Sequence, residues 1–267
     1  MSALSVDFAF KETYSIEDLL AIMRILRGEN GCPWDREQTH QSIRNNFIEE
    51  TYEAVEAIDN SDPVLLEEEL GDVLLQVVFH TEMEREKGVF DIGDVADGVC
   101  KKLIYRHPHI FADTVVASSA EILNNWDDLK RKEKKQETVT DALSSVARSL
   151  PALIRAEKVQ KKASKAGFDW KDVSGAADKV TEELREVNDA FAGSGNVEEE
   201  IGDLLFAAVN VARFAKVDPE RALEKATDKF VARFARVEQT AFDQDKVLSD
   251  LSEDELDTLW NKSKEKV

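Results

Sequence analysis

Four acidic positions in the first half of the chain have the spacing of a cation site. Glu49-Glu50-Thr51-Tyr52-Glu53 is followed by Glu68-Glu69-Leu70-Gly71-Asp72-Val73-Leu74. Glu50 and Glu53 stand three apart, as do Glu69 and Asp72, and helical residues three apart share a face. Two such helices joined by a short turn pack antiparallel, so the four carboxylates converge between them. Like charges at close range raise one another's pKa values or demand a cation. An all-oxygen cluster suits magnesium or manganese, with water and substrate phosphate completing the shell. The string returns in the second half as Glu182-Glu183-Leu184-Arg185-Glu186, then Glu199-Glu200-Ile201-Gly202-Asp203-Leu204-Leu205. Its spacing predicts a second meeting, of Glu183, Glu186, Glu200 and Asp203. The gaps nearly match, 16 positions from Glu53 to Glu69 and 14 from Glu186 to Glu200.

A lone Glu-x-x-Glu on a helix is usually a solvated surface pair. Here the second acidic pair is embedded in apolar sequence, with Leu70, Val73, Leu74 and Leu75 around Asp72, and Leu204, Leu205 and Phe206 after Asp203. Gly71 and Gly202 each cost roughly 1 kcal/mol of helix propensity relative to alanine; they suit a close approach at that point, or helix packing. Further on, Lys102 and Arg106 stand four apart, as do Lys229 and Arg233. On a helix face turned to a metal site such a pair suits a di- or triphosphate; elsewhere it is a surface pair. Trp126 with Lys130 answers Trp260 with Lys264, and Trp34 answers Trp170. Trp126 and Trp260 are placed either to cover a base or to close a bundle. Five matches in one order identify an internal duplication.

The elements that must carry these residues read as helices throughout. Eleven glycines and five prolines in 267 residues argue against an all-β chain with many turns. Ser15 and Asp18 open a helix whose apolar positions run from Ile16 to Leu26, with Gly28 at its end. The spacing predicts helices over about 38–58, 64–87 and 92–105 in the first half, with a turn at Asn60–Pro63 and Gly88 closing the third. The charge run Leu129–Glu137 reads as a solvated helix end or linker. After it, helices are predicted from Pro151 to Gly167 and over about 176–191, 197–216, 218–242 and 254–264, with Gly193-Ser194-Gly195 as a turn.

Bulk properties narrow the function. A formal charge of −20 repels phosphate backbones and excludes general nucleic-acid binding. Val73–Phe79, the longest apolar stretch, is broken by Gln76 and is far too short to span a bilayer. Met1–Phe10 has no signal-peptide pattern. Cys32 and Cys100 form no zinc pattern and no disulfide framework. A cytoplasmic location is the expectation.

At these residues the sequence resembles the MazG family of nucleoside triphosphate pyrophosphohydrolases in its two-domain form, over nearly the whole chain. The likeness rests on both carboxylate strings and on Gly31-Cys32-Pro33-Trp34-Asp35, Arg106-His107-Pro108-His109-Ile110-Phe111, Arg148-Ser149-Leu150-Pro151-Ala152 and Gly167-Phe168-Asp169-Trp170. The resemblance implies an all-α fold, a tandem repeat of helical-bundle domains, expected at 1–135 and 136–267. It implies a homodimer with helices packed across subunits. It also implies that magnesium activates a water, which attacks the α-phosphorus and releases pyrophosphate and a nucleoside monophosphate. By motif, Glu183, Glu186, Glu200 and Asp203 are the catalytic metal ligands, Lys229 and Arg233 hold the triphosphate, and Trp260 lies near the nucleotide. Glu50, Glu53, Glu69 and Asp72 match as metal ligands of the N-terminal half, with Lys102 and Arg106 as its phosphate-binding pair. The C-terminal half is expected to be the more securely catalytic one.

Two other readings compete. A di-iron carboxylate bundle needs Glu-x-x-His on two helices, and only Glu37–His40 matches; His80, His107 and His109 read as packing or loop residues. A non-catalytic helical scaffold or nucleotide-binding regulator predicts the same fold and charge, but a decayed site would be expected to lose some of its carboxylates.

Overall fold

The computed structural model describes residues 8–112 and 137–264, and every regular element among them is helical. The chain divides into two units, Met1–Trp126 and Asp127–Val267. The expected boundary at 135–136 lies outside the described residues. So do Trp126, Lys130 and most of the 129–137 charge run.

In the first unit, α1 (Ile16–Arg27) begins at a reciprocal capping box between Ser15 and Asp18, which satisfies donors that a helix start leaves free. A Cβ on Gly31 would overlap the carbonyl oxygens of Ile25 and Leu26. The chain therefore doubles back under α1 only with glycine there, and Cys32 N–H reaches Leu26 O at 2.8 Å. The short α2 (Pro33–Glu37) follows. α3 (Arg44–Asn60) begins six residues later than the apolar spacing predicts. Thr39 and Ser42 each accept the other's backbone N–H, and Ser42 Oγ donates to Gln38 Oε1 at 2.8 Å. Such side-chain bonds compete with helix. α4 (Pro63–Glu86) is capped by Asp62, which accepts from Val64 and Leu65 N–H. α5 (Ile92–Arg106) starts at an Asp91–Asp94 capping box, and one further turn, α6 (Pro108–Phe111), follows where a loop was expected.

The core of this unit packs α1 on α4 through Met23, Val78, Phe79 and Met83, with Ile43 beside them. Arg27 fixes the polar edge of that contact. Its side chain is 6% exposed and stacks 5.2 Å from the Phe79 ring centre. It donates to both Glu86 oxygens at 2.7 and 2.8 Å and to the Asp35 carbonyl at 2.5 Å. One guanidinium thus ties α1, α2 and α4 together.

In the second unit, a Thr138–Asp141 capping box starts α7 (Val139–Ser144), a helix that the sequence reading did not anticipate. α8 is Ala152–Lys165 and α9 is Val173–Phe191, the latter starting three residues early because Asp172 caps it. α10 (Val197–Phe214) ends two residues before the expected Lys216, which adopts a left-handed φ of 57°. α11 (Pro219–Phe242) and α12 (Glu253–Lys264) complete the unit, packing through Val237, Ala241 and Leu259 with Trp260 alongside. Gln160 on α8 donates to the Phe206 carbonyl of α10 at 2.7 Å. Arg213 binds Asp169 through two donors and holds the 168–170 loop to α10.

Replacing Arg27 by methionine removes three charge-assisted hydrogen bonds while retaining bulk over Phe79. It should lower stability by about 2–4 kcal/mol, read by urea unfolding. The Glu86 carboxyl lies below its usual range because Arg27 bonds it. The stabilisation is therefore present above the unfolded carboxyl pKa and is lost as pH falls through the lower folded value. The gap between wild type and Arg27→Met should narrow in acid; a gap that widens in acid would contradict this assignment.

Candidate metal centre

Each carboxylate string sits on a helical hairpin with a short turn. Between α3 and α4 the turn is Ser61, at φ 54° with its N–H on the Ala57 and Ile58 carbonyls, followed by the capping Asp62. Between α9 and α10 it contains Gly193 and Gly195, at φ 98° and 137°, and the capping Asn196. Both turns force antiparallel packing, and that packing brings the acidic faces together. Glu50, Glu69 and Asp72 each offer an oxygen within 4.8 Å of the others, as do Glu183, Glu186 and Glu200. The remaining predicted members sit at the margins. Glu53 and Asp203 are exposed, yet the Glu53 charge acts on Glu50 and Glu69, and the Asp203 charge acts on Glu200.

The electrostatics of the two clusters follow from this crowding. Burial pushes the Glu50 and Glu69 carboxyls upward, and the Asp72 and Glu53 charges add to it. Burial and then the Glu186 charge push Glu200 the same way. Glu69 and Glu183 are the most enclosed members, at 8% and 3% exposure. In each, Oε2 is buried and accepts no hydrogen bond. An anionic oxygen left so is costly. A divalent cation with a preference for oxygen ligands would satisfy both the orphan oxygens and the pooled negative charge, so the residues present fit magnesium or a similar ion.

The basic residues are less closely drawn in. Lys102 and Arg106 are half-buried on α5; on α11, Lys229 is exposed and Arg233 half-buried. Lys102, Lys229 and Arg233 make no ion pair with the carboxylates among the described residues. Arg233 Nε is buried without a hydrogen-bond partner, so it has a donor to spare for an anion. Trp260 packs against Phe230, ring centres 5.1 Å apart, and against the α11–α12 core; closing the bundle is the role the contacts show. His40 does not pair with Glu37 as a metal ligand. It bridges His80 Nδ1 at 2.7 Å and Glu84 at 2.6 Å, pinning the 38–43 segment to α4.

Two residues that the site reading passed over now stand at the carboxylates. Lys179, one turn before Glu183, binds Glu183 Oε1 at 2.5 Å and Glu182 at 3.0 Å, and these bonds raise its pKa. Its i,i+4 spacing to Glu183 was a visible signal. Gln76, one turn after Asp72, is 7% exposed, and its Oε1 lacks a partner. As a polar residue inside an apolar run it, too, was visible in the sequence.

Comparison with known proteins agrees with this geometry. The MazG nucleotide pyrophosphohydrolase domain matches twice, at residues 38–111 and 171–242, each match spanning one acidic hairpin. Nucleoside triphosphate pyrophosphohydrolase/pyrophosphatase MazG of Thermotoga maritima is 46% identical over 93% of this chain and 95% of its own length. The nucleoside triphosphate pyrophosphohydrolase of Escherichia coli K12 is 43% identical over 93% of this chain and 97% of its own. A Bacillus subtilis protein of unassigned role, YabN, is 48% identical over 92% of this chain but only half of its own length. With the domain matched in both halves and such identity over nearly the whole chain, the chain belongs to the MazG nucleotide pyrophosphohydrolase family.

Proposed function

We propose that the chain hydrolyses nucleoside triphosphates to a nucleoside monophosphate and pyrophosphate, with water attacking the α-phosphorus. One observation carries the reading: a buried carboxylate oxygen with no partner in each acidic hairpin, in a chain alike over most of its length to proteins named for that reaction. Glu183, Glu186, Glu200 and Asp203 would hold magnesium in the C-terminal half, and Glu50, Glu53, Glu69 and Asp72 in the N-terminal half. When bound, the ion supplies a water of lowered pKa and polarises a phosphoryl oxygen.

The chain's own residues do the positioning, which dominates phosphoryl transfer. The helix pairs hold the carboxylates in place before substrate arrives. The walls of Ala54 and Ala57 in one hairpin, and Val187 and Ala190 in the other, are buried and restrict water at the cluster's edge. Arg233, with its free Nε donor, and Lys229 balance the triphosphate charge in the second half, and Lys102 and Arg106 do so in the first. Each half is read as one helical domain, 1–135 and 136–267, the second being the main catalytic one. The side of α3 opposite Glu50 exposes Ile48, Tyr52 and Val55, and α10 exposes Leu205 and Phe206. Apolar faces of this kind support a homodimer. Two free cysteines fit a cytoplasmic setting.

Wild-type protein should release pyrophosphate from mixed nucleoside triphosphates only with magnesium present. Glu183→Ala and Asp203→Ala should each lower turnover by about a hundredfold or more, with the helical circular dichroism unchanged. Near-normal release from the double variant would overturn the C-terminal assignment.

The raised Glu69 carboxyl generates a stability test. A carboxyl whose folded pKa exceeds its unfolded value contributes stability below the unfolded pKa, and loses it as pH rises through the folded one. At pH 8 without metal, Glu69→Gln should therefore melt above wild type. Adding magnesium should raise the wild-type melting temperature more than that of the variant. A variant that melts lower without metal would show that Glu69 is not strained by its neighbours.

A further inference from the structure

The two acidic hairpins share a carboxylate layout but differ one helical turn beyond it. Antiparallel packing that brings Glu50 to Asp72 places Asn46, four residues before, level with Gln76, four residues after. Ile43, packed in one core cluster with Val78 and Phe79, fits that register. The same packing in the second half places Lys179 level with Ala207. At 100° per residue, Gln76 lies between the directions of Glu69 and Asp72, so its side chain leaves α4 on the acidic face. It is 93% buried (7% exposed) and its Oε1 has no partner. Ala207 is equally buried, at 5%, and has nothing to offer a polar ligand. Lys179 instead spends its charge on Glu182 and Glu183.

A buried amide with an open acceptor is costly unless a partner arrives. The cation does not require it, since carboxylates surround the proposed ion. A phosphate cannot bond the open carbonyl oxygen, because phosphate oxygens are acceptors as well. What matches a neutral amide is an uncharged group that can donate, such as the edge of a nucleobase or a ribose hydroxyl. The geometry points to Gln76 as the specificity-determining residue of the N-terminal site. Its amide hydrogen-bonds an uncharged polar group of the bound nucleotide, a contact that Ala207 denies the C-terminal site. The two halves of the duplication then discriminate nucleotides differently. This rests on the proposal that the N-terminal carboxylates bind a nucleotide through a divalent ion.

The test uses the full chain with the C-terminal cluster disabled by Glu183→Gln and Asp203→Asn. Non-hydrolysable α,β-methylene analogues of the four ribonucleoside triphosphates, and their 2′-deoxy forms, are titrated by calorimetry with magnesium. The base series and the deoxy series separate base from ribose as the group read. The preferred analogue should bind about five- to tenfold more weakly to Gln76→Ala, and the spread across the panel should flatten. Gln76→Leu, which keeps the volume filled, should behave alike. Manganese affinity measured without nucleotide should stay the same in both variants. Retained discrimination in both would overturn the proposal, as would a parallel loss of manganese affinity, which marks a merely structural role. Absence of nucleotide binding by the C-terminally disabled chain would also overturn it. Pyrophosphate release by wild type would then show that the proposed activity itself still stands.

Discussion

Mutual repulsion among carboxylates held between two antiparallel helices is the constraint on which this structure turns. Glu50, Glu69 and Asp72 in one hairpin, and Glu183, Glu186 and Glu200 in the other, approach more closely than free side chains would choose. Burial at Glu69 and Glu183 limits relief by solvent, and one oxygen of each has no partner, Lys179 reaching only the other oxygen of Glu183. The fold must therefore hold these groups against their own repulsion, as the proposed cation site requires. The two-residue turn at Ser61–Asp62, the α1–α4 core and the Arg27 clamp do this in the first unit. The α8–α10 tie through Gln160 and the Arg213–Asp169 pair do it in the second.

The two copies solve the same problem with different chemistry. The second places an ammonium, Lys179, on one oxygen of Glu183 and leaves the other oxygen bare. In the first, no cation among the described residues pairs with Glu50, Glu69 or Asp72, and the exposed Glu53 adds a further negative charge beside Glu50 and Glu69. Duplication thus preserved the carboxylate spacing while the next turn of each helix diverged, to Asn46 and Gln76 in one copy and Lys179 and Ala207 in the other.

Much of this was legible in the sequence, because the signals were local. Helix starts at Ser15, Pro63 and Pro151 follow from single capping or proline residues, and the acidic faces follow from i,i+3 spacing. The late start of α3 was not legible from apolar periodicity, since Thr39 and Ser42 bond each other's backbone and withhold the first turns from the helix. The short α7 was missed because its apolar positions are too few to show a period; its Thr138–Asp141 box was the available sign. Spacing alone also could not rank the carboxylates. Which of the four lies deepest depends on how the hairpin closes, and that put Asp203 and Glu53 at the rim while enclosing Glu183 and Glu69. Nor could it relate α5 or α11 to the acidic faces, because those helices follow loops whose paths no residue pattern specifies.

The central claim is that a divalent ion sits among these side chains. Anomalous diffraction from crystals grown with manganese tests it most directly. The account predicts an anomalous peak within each hairpin, ligated by oxygens of Glu50, Glu69 and Asp72 in one and of Glu183, Glu186 and Glu200 in the other, at roughly 2.0–2.3 Å. Well-ordered hairpins with no peak in either cluster, or with manganese only at surface carboxylates elsewhere, would contradict it.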